Sequence, residues 1–201
     1  MPIIKPFQLE PTSDIEDFAA TVFQPKTLSI FYGPEGVGKT ALLYKLLYHR
    51  YKTNENEKGL FIGLDSFECY QYHQTKISTA LGVSSIKEKI PSLVIHFKKP
   101  DIFSVVFFHS LHILISTMET HFALVDGLNK LTNPSKNRVI QNLRQVSDCG
   151  IPVIVTMDIK PDLNHLTEFP AVKIQTFLLE RPEFLGGVIT EFGDTRLIKD
   201  E

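Results

Sequence analysis

The sequence predicts an α/β protein: a mostly parallel sheet with helices on both faces. Three observations predict it. Short apolar runs rich in β-branched and aromatic residues alternate with longer segments of helical period, five times over. The runs are apolar almost throughout, as strands are when both faces of a sheet are covered. A glycine-rich turn, Gly33-Pro34-Glu35-Gly36-Val37-Gly38-Lys39-Thr40, stands between the first such run and the first long helical segment. That is where parallel sheets meet their ligands.

The elements follow in order. Residues 1–26 carry Pro2, Pro6, Pro11 and Pro25 and read as an irregular N-terminal segment. One short helix is expected inside it, in "TSDIEDFAATVF", with Ser13 or Asp14 as cap. Residues 27–201 read as a single domain, a length that suits one core. "TLSIFY" is the first strand, and the helix "KTALLYKLLYHRY" after the turn puts Leu42, Leu43, Leu46 and Leu47 on one face. "KTNENEKG" is a solvated loop, "GLFIGL" a strand, "YQYHQTKISTALG" a helix closed by Gly82, and "SLVIHF" a strand. "IFSVVFFHSLHILISTMET" reads as a long buried helix, with Phe103, Phe107 and Phe108 as core and His109 and His112 as core or interface residues. "HFALVDG" is a strand ending in a carboxylate. "PSKNRVIQNLRQVSDCG" is an amphipathic helix with Pro134 near its start and Gly150 after its end, and "IPVIVTM" is a fifth strand. "VKIQTFLLE" and "GGVITEFG" alternate, and are expected to be late antiparallel strands at the C-terminus. There is no internal repeat and no low-complexity tract.

Charge and cysteines narrow the function classes. Lys and Arg number 21 against 23 Asp and Glu, a formal net charge of −2. A chain so balanced is a poor autonomous nucleic-acid binder, because phosphate contacts lean on excess positive charge. Cys69 and Cys149 have no metal spacing and read as reduced thiols of an intracellular protein. "MPIIKPFQLEPTSD" is not a signal peptide by pattern, since Pro and Lys break its short apolar run. No apolar run approaches the ~20 residues of a membrane helix, so no membrane partner is expected.

The turn poses a phosphate problem. Gly33 to Thr40 fits G-x-x-x-x-G-K-[ST] in full, with a strand before it and a helix after. Glycines let successive backbone N–H groups point into one concavity, and the helix N-terminus adds partial positive charge. Lys39 is suited to β- and γ-phosphates. The Thr40 hydroxyl is suited to Mg²⁺, a hard cation that keeps several waters. ATP with Mg²⁺ is therefore the expected cofactor. A second acid for the metal is expected at another strand tip, and Asp126 supplies it, acting through water. Asp65 ends "LFIGLDS". It is a candidate to polarise the attacking water, one methylene shorter than a glutamate; a strand-end or helix-cap role is the alternative. Asp158 follows the fifth strand, where an acid would repel phosphate, and is expected to face a neighbour or solvent.

In order and spacing, "FYGPEGVGKTALLY", "LFIGLDS", "FALVDGLNKL" and "GIPVIVTMDI" resemble the ATPase core of RecA/RadA-type recombinases, over residues 27 to 195. The nearest look is to the eukaryotic recombinase paralogues. The resemblance implies a RecA-like P-loop NTPase core. It places the family's Walker A lysine and threonine on Lys39 and Thr40, its Walker B aspartate on Asp126, and its catalytic glutamate on Asp65. The family's Thr-Asn-Gln trio falls on Thr156-Met157-Asp158, a departure that removes the amide coupling nucleotide to DNA. There is no room for the family's helical N-terminal DNA-binding domain, little for its long DNA-binding loop between Asp158 and Val172, and no Phe-x-x-Ala filament motif.

These losses point to an accessory paralogue. The expectation is an ATP-binding subunit of a nuclear hetero-oligomer assisting homologous-recombination DNA repair, with weak or DNA-stimulated hydrolysis. Its partners would be other recombinase paralogues or a repair adaptor protein, and single-stranded or branched DNA through the complex. Lys130, Lys136 and Arg138 are the preferred DNA contacts; Lys87, Lys89, Lys98 and Lys99 read as a solvated loop. Two alternatives stand beside this. One is a scaffold that binds nucleotide without hydrolysing it. The other is a small P-loop kinase unrelated to DNA, disfavoured because Arg50, Arg138, Arg144, Arg181 and Arg196 do not cluster.

Overall fold

The computed structural model describes residues 7–8, 13–54, 56–65, 67–80, 93–96, 106–163, 171–180 and 196–200. In chain order these form β1 (Phe7–Gln8), α1 (Ser13–Val22), β2 (Thr27–Tyr32), α2 (Lys39–Thr53), β3 (Gly59–Gly63) and α3 (Phe67–Ala80). Then come β4 (Leu93–His96), α4 (Leu111–Thr117), β5 (Phe122–Asp126), a 3-10 turn (Leu128–Lys130) and α5 (Asn133–Asp148). β6 (Val153–Met157), β7 (Lys173–Glu180) and β8 (Arg196–Asp200) close the order. Gly82, Phe103, the lysines at 87, 89, 98 and 99 and the run "GGVITEFG" lie outside the described residues.

The strands form one sheet in the order β1-β8-β7-β2-β6-β5-β3-β4. Every pairing from β7 across to β4 is parallel. β8 pairs antiparallel with both β7 and β1. The C-terminal expectation therefore changes in part. "VKIQTFLLE" is antiparallel only to β8; toward the core it extends the parallel sheet beside β2, in register from Thr27↔Lys173 to Tyr32↔Leu178. Alternation could not distinguish these, because it reports which faces are covered and not which way a neighbour runs. Within residues 1–26, the expected helix is α1, and a short strand precedes it. β1 joins the edge of the sheet, and α1 buries Phe18, Ala19 and Val22.

Period-2 strands deliver side chains to two separate cores. On one face, Phe31, Phe61, Phe122, Leu124, Ile154 and Phe177 pack with α1, with α2 and with Tyr70 of α3. The rings of Phe18, Phe31 and Phe177 lie 5.3 to 5.6 Å apart between centroids. All four of Leu42, Leu43, Leu46 and Leu47 point into this core. On the other face, Leu28, Ile30, Leu60, Ile62, Val125, Val153 and Val155 pack with α4 and α5. Burying each such side chain contributes about 1.5–3 kcal/mol, so the stripes on α2 and α5 hold the sheet between them. The Ser147 hydroxyl, fully buried on α5, donates to the Thr27 carbonyl at 2.9 Å and fixes α5 over β2. α5 has Pro134 in its first turn, and Gly150 at φ 97° follows its end, as the sequence suggests.

The apolar run before β5 departs from expectation. Its helix is interrupted at Ser110, with α4 starting at Leu111. Phe108 and Leu111 are buried, whereas His109 and His112 are exposed rather than core. The period places them there: with Phe108, Leu111 and Ile115 turned to the sheet, the positions between face outward. Among the described residues, no helix is long and apolar enough to cross a membrane.

Candidate functional site

Parallel strands end together, so the loops after β2, β3, β5 and β6 converge on one edge of the sheet. β6 lies between β2 and β5. With neighbours ~4.8 Å apart, the tips of β2 and β5 stand about 10 Å apart, room enough for a phosphate-sized group.

The turn after β2 is shaped by its glycines. A Cβ on Gly33 would meet the Leu179 carbonyl oxygen of β7 at 2.2 Å, so only glycine lets the chain leave β2 beside β7. Gly38 takes φ 98° and starts α2 directly, its carbonyl accepting from the Leu42 N–H at 2.9 Å. Pro34, Glu35 and Gly36 are exposed at the turn's crest, while Val37 is buried and anchors the turn to the core beneath. The first turn of α2 then carries Lys39 and Thr40, both half-buried, at the mouth.

Thr40 and Asp126, 86 positions apart in sequence, are brought together: the Thr40 hydroxyl donates to Asp126 Oδ2 at 2.7 Å. Asp126 ends β5 and is 3% exposed. Its other oxygen accepts from the hydroxyl of Thr156 on β6. The Thr156 hydroxyl in turn accepts from the Gly127 N–H at 2.9 Å. A buried carboxylate is thus held by two hydroxyls. The Tyr70 phenol reaches its backbone carbonyl at 3.4 Å, and burial, then the Asp126 charge, push that phenol far above its ordinary pKa. Thr156 and Tyr70 belong to this cluster, although the sequence reading placed Thr156 only on the family's Thr-Asn-Gln trio and gave Tyr70 no role. A polar residue inside the apolar fifth strand was the available signal for Thr156; Tyr70 gave none, since its helix position looks like core.

Lys39 is held differently. Its ammonium donates to the carbonyls of Gly33 at 2.7 Å and Pro34 at 2.8 Å, and lies 2.9 Å from Asp158 Oδ1. Asp158 therefore faces a neighbour, and that neighbour is the turn's own lysine. Asp65 lies just past β3, 3.3 Å from the ammonium of Lys130. Burial works to lower the Lys130 pKa, but the hydrogen bond and charge of Asp65, helped by Glu35 and Asp158, raise it overall. So Lys130, expected as an outward DNA contact, turns toward the acids of the pocket. Lys136 contacts Asn133 on its own helix at 3.4 Å.

The residues around Thr40 fit Mg²⁺ by donor chemistry. They offer a hydroxyl oxygen and a carboxylate, both hard ligands, and leave the remaining positions to water and phosphate. Thr40 would ligate directly, with Asp126 behind it. A metal so placed would neutralise phosphate charge; this chain's own part is to aim the hydroxyl and hold the carboxylate beside it. Among the described residues no group of three or more His, Cys, Asp or Glu could hold a metal.

Comparison with protein-family models and with curated proteins finds no match for the chain.

Proposed function

We propose that the chain is a nucleotide-binding protein with a RecA-like P-loop core that takes ATP or its product with Mg²⁺. One observation carries the reading. The Thr40 hydroxyl of a complete Gly33–Thr40 phosphate-loop sequence meets the buried carboxylate of Asp126 at 2.7 Å, across one intervening strand. A carboxylate buried at the mouth of a phosphate-loop sequence is costly, and a nearby cation offsets that cost. A metal–nucleotide complex at the mouth of the turn supplies that offset. The strand sequence around the site, with the turn after β2 and the acid on β5, supports the same assignment.

The wider role we propose is that of an accessory recombinase paralogue in a nuclear hetero-oligomer for homologous-recombination repair. The ordered sequence resemblance and the lost Thr-Asn-Gln trio support it. Hydrolysis is weak on this reading. Asp65, the shortened counterpart of the family's catalytic acid, sits beside Lys130, which opposes its use as a base. That same pairing favours, as second reading, a scaffold in which nucleotide binding steadies an interface without turnover. Of the described arginines, Arg50 is bound by Glu57 at 2.5 and 2.6 Å near the far end of α2 and Arg144 is buried on α5, so neither favours the kinase alternative.

The test is calorimetric titration of ATP and ADP with Mg²⁺ into the wild type and Lys39→Ala, followed by turnover with and without single-stranded DNA. The reading expects binding that Lys39→Ala abolishes and slow, DNA-stimulated turnover. Binding without turnover selects the scaffold. Lack of any nucleotide binding by a folded wild type removes the reading altogether.

A further inference from the structure

We propose that Asp158 is a specificity-determining residue: its carboxylate takes the acceptor position on Lys39 that a γ-phosphate would need, so the site prefers a nucleoside diphosphate to a triphosphate. The proposal rests on the nucleotide reading of Lys39 and goes beyond it, because that reading by itself leaves the phosphate count open.

The geometry is a matter of counting donors. An ammonium has three N–H groups. Two of those on Lys39 are given to the carbonyls of Gly33 at 2.7 Å and Pro34 at 2.8 Å, and Asp158 Oδ1 lies 2.9 Å from the nitrogen as an ion pair. A phosphate can bind the lysine only by displacing one of them. The two carbonyls are neutral, and a charged phosphate oxygen replaces them with gain. Asp158 is already charged and is the acceptor least readily displaced. A β-phosphate can therefore take a carbonyl's place while Asp158 stays.

A γ-phosphate faces a different situation. It would have to share the same ammonium with the Asp158 carboxylate, two anions a few ångströms apart. The lysine side chain is 10% exposed and that of Asp158 30%, so water screens the repulsion only partly. Lys130 offsets it only in part, since its ammonium lies 3.3 Å from Asp65 and is shared among Asp65, Glu35 and Asp158. Nor does a metal at Thr40 and Asp126 remove it, since that charge serves β- and γ-phosphates alike. Asp158 then acts as a built-in substitute for the third phosphate.

The experiment compares ADP and a non-hydrolysable ATP analogue, each with Mg²⁺, by calorimetry on the full chain. The variants are Asp158→Asn, which keeps the size and removes the charge, and Asp158→Glu, which keeps the charge. Thermal melts establish that each is folded, and Asp158→Ala replaces any that is not. The expected result is that wild type and Asp158→Glu favour ADP by about tenfold, while Asp158→Asn gains about tenfold for the triphosphate and changes little for ADP. A wild type that binds the triphosphate more tightly, or an Asp158→Asn that shifts both ligands equally, overturns the assignment and leaves the nucleotide reading standing. A folded wild type that binds neither ligand overturns both.

Discussion

Two carboxylates stand at neighbouring strand tips and do opposite things. Asp126 ends β5, is 3% exposed, and gives both oxygens to the hydroxyls of Thr40 and Thr156. Asp158 follows β6, keeps 30% of its side chain in solvent, and pairs with the ammonium of Lys39. The sequence marks both as acids after apolar strands. Their partners separate them. An acid bonded to hydroxyls has no cation of its own among those bonds. An acid tied to a lysine has spent its charge, and competes with any anion the lysine would otherwise attract. On the proposed reading, one strand of displacement in the sheet separates a residue that recruits a metal complex from one that filters it.

That contrast can be broken in steps. Asp126→Ala should have the largest effect, because it strands the buried Thr156 hydroxyl and the half-buried Thr40 hydroxyl that now bond to a carboxylate, each bond worth ~1.5–3 kcal/mol. A loss of about 3 kcal/mol in urea unfolding is expected, along with all Mg²⁺-dependent nucleotide binding. Asp126→Asn sharpens the point by removing charge and not shape. It should melt close to the wild type yet show no stabilisation by Mg²⁺-nucleotide in a thermal shift assay. If it melts higher when ADP and Mg²⁺ are added, Asp126 does not recruit the metal.

Thr156→Val comes next. It removes a buried hydroxyl that serves both Asp126 and the Gly127 N–H, and should cost about 2 kcal/mol by the same urea measurement. Asp158→Asn should cost under ~1 kcal/mol, since a partly exposed ion pair contributes little to folding. The large difference between Asp126→Ala and Asp158→Asn in stability, together with their opposite effects on ligand binding, is the comparison in measurable form.

Lys130 gives the smallest effect. Its folded pKa is raised above the ordinary lysine value, so the contribution of its ion pair is fully present below that value and is lost as pH rises through the folded one. The stability gap between wild type and Lys130→Met should be flat near neutrality, at most ~0.5 kcal/mol after solvent screening, and should close only in strongly alkaline solution. A gap that closes between pH 5 and 8 would mean that the lysine is not what is being measured.

Much of this was legible in the chain because it is local. Gly33 to Thr40 between a strand and a helix, the leucine stripe of α2, and an acid at the end of "FALVD" each depend on residues close together in sequence. The strand and helix order followed from the same local periods. Other features were not legible for a common reason. The parallel run of β7 beside β2, the outward turn of His109 and His112, and the capture of Lys130 by Asp65 all depend on which distant segment lies alongside. Thr156 shows the boundary well. Its strand was evident, but whether its hydroxyl met Asp126 or a helix depended on β5 being the next strand over.

The sequence by itself determined that a phosphate-shaped turn would open a helix, and that an acid would end an apolar strand. Backbone freedom at glycine and the periods of helix and strand act over a few residues and need no partner. Only the tertiary structure decided that β6 would stand between β2 and β5, and so that Asp126 would meet hydroxyls while Asp158 met Lys39. The order of strands in a sheet is set by packing over the whole chain. The partner of a charge follows from that order, because Coulomb forces and hydrogen bonds act between neighbours in space.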